Sequence, residues 1–277
     1  MSRNPSSASL GPDEVRIYEL KRIDVEGAIV IDGFPSVGLV SSIVANYLID
    51  TLQMEQIGIV ESPAFPTVSL VRNGNPHHPV RIYAGRPAAD RTGRVADKIV
   101  AFVSEFHPAP TVIHPLATTI MDWIQEQRCG LLVSPEGLVV DRPEGEPRGR
   151  ATKLADVKVY GVASTRKASE LYIEPNTLPF VEGVITGIAG VLLNEGRRRG
   201  FDVLTFLAEA QSDYPDARAA AKVIETINRI LLRTPLDPVP LYHEAERIEQ
   251  QLLSIQRHAS DKGHTERPAA ASPPMYR

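Results

Sequence analysis

Apolar residues along this chain fall into short runs that alternate with longer segments where they recur every three or four positions. The short runs predict buried strands and the longer segments predict helices. Strands are predicted at Ala28–Ile31, Ile57–Val60, Thr67–Val71, Val80–Tyr83, Lys98–Val103, Gly130–Val133, Val157–Gly161 and Val203–Phe206, and helices at Val37–Leu52, Val112–Arg128, Val184–Arg199 and Pro215–Leu231. This alternation predicts an α/β protein, a three-layer α/β/α sandwich with a mixed sheet.

The same pattern divides the chain into one folded unit with two polar ends. Residues 1–13 are predicted to be a flexible segment, residues 14–258 a single α/β domain, and residues 259–277 a disordered tail. The tail consists mainly of Pro, Ala, Ser and charged residues, which bury too little apolar surface to fold alone.

A last amphipathic helix is predicted at the end of the domain. Its apolar residues recur at alternating spacings of four and three: Leu241, Ala245, Ile248, Leu252 and Ile255. Two heptads are too short to form a coiled coil without support. Two interpretations remain open, namely a helix packed on its own domain and a contact between subunits of a homo-oligomer.

Composition narrows the classes of function. The formal net charge of −4 leaves no basic excess for general binding of nucleic acid or membrane surfaces. The lone Cys129 excludes an internal disulfide framework. No apolar run approaches the length of a membrane span, and the first residues are polar without a signal-peptide core, so we expect a cytoplasmic protein.

A glycine turn, Gly33-Phe34-Pro35-Ser36-Val37-Gly38, joins a predicted strand to a predicted helix. Exposed amides at such a place favour anions. However, Leu39-Val40 stand where a nucleotide P-loop requires Lys and Ser or Thr, so the turn is not a P-loop. We expect a tight turn in which Gly33 has an unusual backbone angle and Gly38 allows close packing.

The chain ends in Met275-Tyr276-Arg277. An apolar residue, Tyr and any last residue with a free carboxylate resemble the C-terminal docking motif of proteasome-binding proteins, which enters pockets between α-ring subunits. Such an end offers an apolar anchor, a ring with a polar tip and a fixed negative charge.

Several segments in order resemble the proteasome assembly chaperone 2 family. The first is Gly33–Val40, and the others are Phe65-Pro66, His78–Tyr83, Ser104–Phe106, Gly183–Gly187, Leu207–Glu209 and Tyr214–Ala220. Ser36 stands where the family pattern usually has Gly. The resemblance implies a fold similar to nucleoside phosphorylases and peptidyl-tRNA hydrolases. It also implies homo-oligomers or heterodimers that contact proteasome α subunits.

The implied fold suggests a pocket, because open α/β sheets bind ligands at the carboxyl ends of their strands. The candidate lining residues are Gly33, Phe34, Pro35, Gly38, Glu105, Glu136, Thr186, Gly187 and Glu209. The alternative for each Glu is a loop or first-turn carboxylate that accepts from backbone amides. Nothing pairs these acids with an activated nucleophile or a base, so no catalytic residue is predicted.

The histidines do not indicate a metal site. His77 and His78 are adjacent, and His107 and His114 have no Cys nearby. Structural zinc needs four convergent ligands, so neither a metal nor another cofactor is expected.

Three hypotheses about function follow. The first is a non-catalytic protein that docks its C-terminus into the 20S proteasome α ring, as an assembly chaperone or an ATP-independent adaptor or activator. The second is a phosphorylase- or hydrolase-like enzyme with a small-molecule pocket. The third is an oligomeric scaffold with an incidental tail.

Overall fold

A computed structural model of the chain describes residue 11 and residues 14–85, 98–139, 157–172, 176–212, 214–232 and 236–243. Several predictions therefore lie outside the described residues. They concern the docking motif Met275, Tyr276 and Arg277, most of the N-terminal segment 1–13, the tail 259–277, and the contact-helix residues Ala245, Ile248, Leu252 and Ile255.

Strands and helices alternate as the apolar pattern predicts. The strands are β1 (Arg16–Glu19), β2 (Ile29–Gly33), β3 (Glu55–Glu61), β4 (Leu70–Arg72), β5 (Asn75–His77), β6 (Val80–Gly85), β7 (Ile99–Ser104), β8 (Leu131–Val139), β9 (Val159–Ala163), β10 (Thr177–Pro179) and β11 (Val203–Ala210). The helices are α1 (Val40–Thr51), α2 (Pro110–Glu126), α3 (Arg166–Leu171), α4 (Gly187–Arg199) and α5 (Ala217–Ile230).

Within the described part of the chain, the strands form one mixed sheet and a small hairpin. The sheet has the order β1-β3-β6-β7-β2-β8-β11-β9-β10, and β4 pairs with β5 separately. β7, β2, β8 and β11 run parallel to one another. Most outer pairs are antiparallel, and only β9 and β10 pair in parallel at one edge.

Helices cover both faces of the sheet, as a three-layer sandwich requires. α1 and α5 pack together on one face, and their core residues include Val44, Leu48 and Ile224. α2 and α4 pack together on the other face, where Leu116 and Leu192 are buried. The predicted α/β fold is confirmed.

Two element boundaries differ from the prediction for the same reason. β8 continues to Val139 and β11 to Ala210, whereas the apolar runs ended at Val133 and Phe206. In both strands polar or small residues, Ser134 to Gly137 in β8 and Ala208 to Ala210 in β11, weaken the apolar pattern without ending the strand. β1, β5, α3 and β10 were not predicted, because they are short and have few buried residues.

The predicted helix 37–52 is divided at its start. Val37–Leu39 form a 3₁₀ turn, and α1 begins at Val40. Gly38 and Leu39 both have positive φ angles, 60° and 52°, which an α-helix does not accommodate. This kink places the turn over the end of β8, which it contacts.

The start of α5 also differs from the prediction. The helix begins at Ala217 rather than Pro215, and the Asp216 side chain caps it by accepting from the Ala219 amide at 3.0 Å. Such a cap typically stabilises a helix by about 1 kcal/mol. Beyond α5, Leu241 is buried in the core on the α1 and α5 face, so the start of the last segment packs on its own domain.

Candidate functional site

A cavity of about 690 Å³ lies at the carboxyl ends of the central parallel strands. The glycine turn, the end of β8 and the residues that begin α4 surround it. Its lining residues are Pro35, Ser36, Val37, Gly38, Leu39, His107, Glu136, Gly137, Leu138, Val139, Val184, Ile185, Thr186, Gly187, Ile188, Leu207, Ser212, Tyr214 and Pro215. This is the edge of an open α/β sheet where ligands bind.

The glycine turn is shaped by contacts that exclude larger side chains. A Cβ atom on Gly33 would lie 2.4 Å from the Ala45 Cβ and 2.7 Å from the Phe102 carbonyl oxygen. The prediction of an unusual backbone angle at Gly33 is wrong, because the positive φ belongs to Gly38 instead. Gly33 is needed for space, since α1 and β7 pack closely against the end of β2.

Leu39 holds an unfavourable backbone conformation beside the cavity. Its φ of 52° and ψ of 25° are left-handed, a region that a leucine rarely adopts. Such conformations typically cost about 1–3 kcal/mol and tend to occur at ligand sites and switches. The surrounding turn therefore holds Leu39 in place at some cost in stability.

Asp32 is buried beneath the turn with both carboxylate oxygens occupied. Its Oδ1 accepts from the Phe34 amide at 3.1 Å, and its Oδ2 accepts from the Ser134 hydroxyl at 3.0 Å. Burial nevertheless raises the pKa of Asp32 from its ordinary value of 3.8 to about 6, because desolvation outweighs these two bonds.

Glu136 is the one carboxyl group among the described residues that line the cavity. Ser41 Oγ lies 3.4 Å from its Oε1 and donates at 2.5 Å to the Pro135 carbonyl oxygen. Burial first, and then the charge of Asp32, raise the pKa of Glu136 well above its usual range.

The sequence-based interpretation of Glu136 is therefore wrong in two respects. Glu136 lies inside β8 and does not follow its strand. It also accepts from no backbone amide in the described part of the chain, which the loop-carboxylate alternative required. Instead, the Glu136 carboxyl lines the cavity from within β8.

Thr186 and Gly187 form another wall where α4 begins. Thr186 is the N-cap residue, although its side chain makes no capping hydrogen bond, and Gly187 has a φ of 72°. The preceding loop carries Val184, which lines the cavity and is 82% exposed, so this side of the cavity is apolar and open.

The structure brings together only part of the predicted pocket. Pro35, Gly38, Glu136, Thr186 and Gly187 line the cavity. Gly33 and Phe34 lie beneath it, and Phe34 is buried in the core on the α2 and α4 face.

The other two predicted acids are engaged elsewhere. Glu105 follows β7 as predicted, but it accepts from Arg72 and Arg81 at 2.6 Å each. Glu209 lies within β11, not after it, and accepts from the Tyr160 hydroxyl at 3.2 Å.

Sequence reasoning missed the polar residues under the cavity. Asp32, Ser41 and Ser134 are all at most 2% exposed. A charged residue directly before the glycine turn was the available signal at Asp32. The pairing of β2 with β8, which brings Asp32 and Ser134 together, was not available from the local pattern.

Neither a metal centre nor a membrane-spanning helix is found in the described ranges. Those ranges contain no group of three or more His, Cys, Asp or Glu side chains that could hold a metal ion. None of their helices combines the length and the apolar character that crossing a bilayer requires.

The fold and this edge of the sheet define the class of protein, an α/β/α sandwich with a strand-to-helix glycine turn over the sheet. Comparison with known families then gives the particular family. The PAC2 family model matches residues 30–256, and the chain therefore belongs to the PAC2 family. The match begins one residue into β2 and includes every element from there to α5.

Two of the similar proteins come from archaea. An uncharacterized protein of Methanocaldococcus jannaschii is 30% identical over 246 residues, which are 88% of this chain and 91% of that protein. The crystal structure of Pyrococcus furiosus PbaA, described as an archaeal homolog of proteasome-assembly chaperone, has a TM-score of 0.74 and 28% identity, covering 91% of this chain and 95% of that one.

A further solved structure is similar in fold. Pyrococcus furiosus PbaB, described as an archaeal proteasome activator, has a TM-score of 0.72 and covers 88% of this chain and 99% of its own. Its identity of 22% shows the shared fold alone.

Proposed function

We propose that the protein is a non-catalytic proteasome-binding protein, an assembly chaperone or activator, that docks its C-terminus into the 20S α ring. Two observations taken together support this proposal: the family of the chain and its last three residues. A chain of the PAC2 family, 28% identical to PbaA, also ends in Met275-Tyr276-Arg277. Either feature alone is weaker support, because fold and family do not fix function.

The chemistry of the last three residues suits a pocket between subunits. In this proposal Met275 supplies an apolar contact, the Tyr276 ring buries apolar area, and its hydroxyl finds a hydrogen-bond partner. The Arg277 carboxylate pairs with a basic side chain of the ring, while the guanidinium stays in solvent. The proposal thus depends on Arg277 carrying the terminal carboxylate.

The length of the tail suits docking at a distance from the body. Residues 259–277 supply 19 residues rich in Pro, Ala and Ser. A flexible chain of that length has a root-mean-square reach of roughly 25 Å. The folded domain could therefore stay above the ring while the C-terminus of the tail reaches a pocket between α subunits.

A three-residue anchor buries little surface, so useful affinity requires several tails on one ring. For this reason the proposal includes a homo-oligomer. Its contact is assigned to Ala245, Ile248, Leu252 and Ile255, because Leu241 is buried in its own domain. Ile248→Asp should then reduce the mass measured by light scattering at micromolar concentration. A monomer of unchanged mass for both the parent and the variant would contradict this part.

A catalytic role receives no support from the described residues. Ser41 is the hydroxyl closest to an acid of the cavity, yet it donates to the Pro135 carbonyl oxygen and has no histidine partner. Such a hydroxyl has no base to activate it as a nucleophile.

The experiment that tests the proposal is co-sedimentation of the full chain with 20S particles. A variant lacking residues 275–277 should lose most of its binding. The matched control exchanges two residues (Met275→Tyr with Tyr276→Met), which keeps the composition and the carboxylate but moves the ring. It should lose binding to the same degree.

Two additions separate the possible roles. Adding the protein to assembled 20S particles and measuring peptide hydrolysis tests the activator role. Adding it to free α subunits and measuring ring yield tests the chaperone role. Binding that is equal for the parent, the truncated form and the exchanged form would overturn the docking proposal.

A further inference from the structure

The cavity at the carboxyl edge of the sheet has an unusual balance of polar and apolar groups. Most side chains around it are apolar, among them Val37, Leu138, Ile185 and Leu207. The described residues that line it include neither Lys nor Arg. Its volume of about 690 Å³ lies within the range of roughly 300–1,000 Å³ that small-molecule sites occupy.

The Glu136 carboxyl on this wall is incompletely hydrogen-bonded. Its Oε1 is 3.4 Å from the Ser41 hydroxyl, which already donates to the Pro135 carbonyl oxygen at the shorter distance of 2.5 Å. Its Oε2 has no partner within the described ranges. By contrast, both oxygens of the neighbouring Asp32 are occupied. Glu136 is thus the member of the pair with capacity for a ligand.

The other titratable groups near Glu136 do not neutralise it. Asp32 of β2 adds a like charge, which is repulsive. Glu209 of β11 lies on the same face but is held by Tyr160 and by Lys158, whose Nζ is 3.9 Å from Glu209 Oε1. His107 and Tyr214 also line the cavity.

This arrangement selects among ligands by charge. An anion would meet the Glu136 carboxyl, with Asp32 buried nearby, and neither Lys nor Arg among the described lining residues, so it is disfavoured. A cation or a strong N–H donor would occupy the free carboxyl oxygen and offset the charge of Asp32. The apolar walls require that this nitrogen be attached to an apolar body.

We propose that the cavity binds a small molecule that carries a primary amine or amidinium group on an apolar body, with the nitrogen against the Glu136 carboxyl. The strained backbone of Leu39 on the rim is consistent with a turn shaped for such a ligand. This site is independent of the C-terminal docking proposed above.

Three probes of one shape test the proposal on the full chain. Benzylamine, benzyl alcohol and benzoate share an aromatic body and differ in the polar group. Titrations followed by ligand-observed NMR at pH 7.5 should show benzylamine binding at least about tenfold more tightly than benzyl alcohol, as a charge-assisted hydrogen bond predicts. Benzoate should bind most weakly. Equal binding of the amine and the alcohol, or no binding of the amine, would overturn the proposal.

Two matched variants locate the nitrogen. Glu136→Gln is isosteric and removes the charge, so it should reduce benzylamine affinity at least about tenfold while leaving benzyl alcohol unchanged. Glu209→Gln removes an acid from the same face outside the cavity lining and should leave both affinities unchanged. Loss of amine binding in Glu209→Gln, or its retention in Glu136→Gln, contradicts the placement.

The dependence on pH gives a second readout that needs no variant. A protonated Glu136 must release its proton before it pairs with the ammonium group. Benzylamine affinity should therefore rise with pH until Glu136 is ionised in the free protein and then level off. The Glu136→Gln variant should lose this rise. A flat profile in the parent chain would contradict the proposed pairing.

Discussion

Two acids near the carboxyl edge of the sheet, Glu105 and Glu136, lie in opposite surroundings. Glu105 is held by Arg72 and Arg81, and the Arg81 side chain is fully buried. Glu136 has a serine hydroxyl at 3.4 Å and a second acid as its nearest charged neighbour. The same residue type is therefore part of a closed hydrogen-bond network in one place and is incompletely hydrogen-bonded, among the described residues, in the other.

The comparison indicates how to separate a candidate binding acid from a structural one. The useful sign is a carboxyl group with few hydrogen bonds inside the protein, more than its position at a strand end. Arg81 also donates to the His78 carbonyl oxygen at 2.7 Å and to the Tyr83 hydroxyl at 3.1 Å. Its network is closed within the protein. In the proposal above, a ligand nitrogen would complete the hydrogen bonding of Glu136.

The largest expected effect is in the closed network. Arg81→Ala removes a fully buried side chain and leaves the His78 carbonyl oxygen without its donor, so it should lower the free energy of unfolding by about 3–5 kcal/mol. Denaturant titration measures this. Arg72→Ala is the control, because Arg72 is 49% exposed in its ion pair and should cost less than about 1 kcal/mol. Equal losses of stability in Arg81→Ala and Arg72→Ala would contradict the claim that the buried arginine holds this network together.

The next effect is a pH dependence of stability that originates in the two neighbouring acids Asp32 and Glu136. The folded pKa of Asp32 is about 6 against an ordinary 3.8, so the folded chain keeps a proton that the unfolded chain has lost between these values. The free energy of unfolding therefore falls as pH rises through this window, and the loss is complete above pH 6. At 1.36 kcal/mol per pKa unit this amounts to about 3 kcal/mol.

Variants separate this dependence from that of the rest of the chain. Asp32→Asn keeps an oxygen for the Phe34 amide and should remove most of the fall, as measured by urea titrations at pH 4.5 and 7. Glu136→Gln should remove the further fall at higher pH that its raised pKa predicts. Asp50→Asn, at an exposed position of α1, is the control and should change neither. An unchanged pH profile in Asp32→Asn would show that burial does not raise this pKa.

The smallest expected effect concerns the third acid of the edge. Glu209 accepts one hydrogen bond from Tyr160 and pairs with Lys158, whose side chain is 61% exposed. Glu209→Gln should therefore change the free energy of unfolding by less than about 1 kcal/mol, since the amide still accepts from Tyr160. Thermal unfolding at pH 7 is sufficient to measure it. A cost as large as that of Arg81→Ala would mean that Glu209 belongs to a closed network as well.

The order of the elements follows from the sequence, because short apolar runs such as Ala28–Ile31 alternate with longer periodic segments such as the apolar stripe of α5. The glycine turn was also predictable, since Gly33 and Gly38 lie between a strand and a helix. The extension of β8 beyond Val133 was not, because Ser134 and Glu136 have no apolar signal.

The partners of the acids were unpredictable for a different reason. Arg81 pairs with Glu105 across 24 positions of sequence, and Ser41 approaches Glu136 across 95. Only strand order and register bring such residues together, and neither is readable from local periodicity. The sequence pattern therefore placed several predicted residues at the edge where the cavity lies, and it could not say which acid lines that cavity.

The most direct test of the proposed function is the affinity of single-residue tail variants for 20S particles, measured by surface plasmon resonance with the particles immobilised. Tyr276→Ala, and separately the addition of one residue after Arg277, should weaken binding by about 2 kcal/mol or more per tail. Arg277→Ala should bind nearly as well as the parent, because it retains the terminal carboxylate. Melting temperatures should be equal in all forms. Parent-like affinity of Tyr276→Ala would contradict docking through the C-terminus.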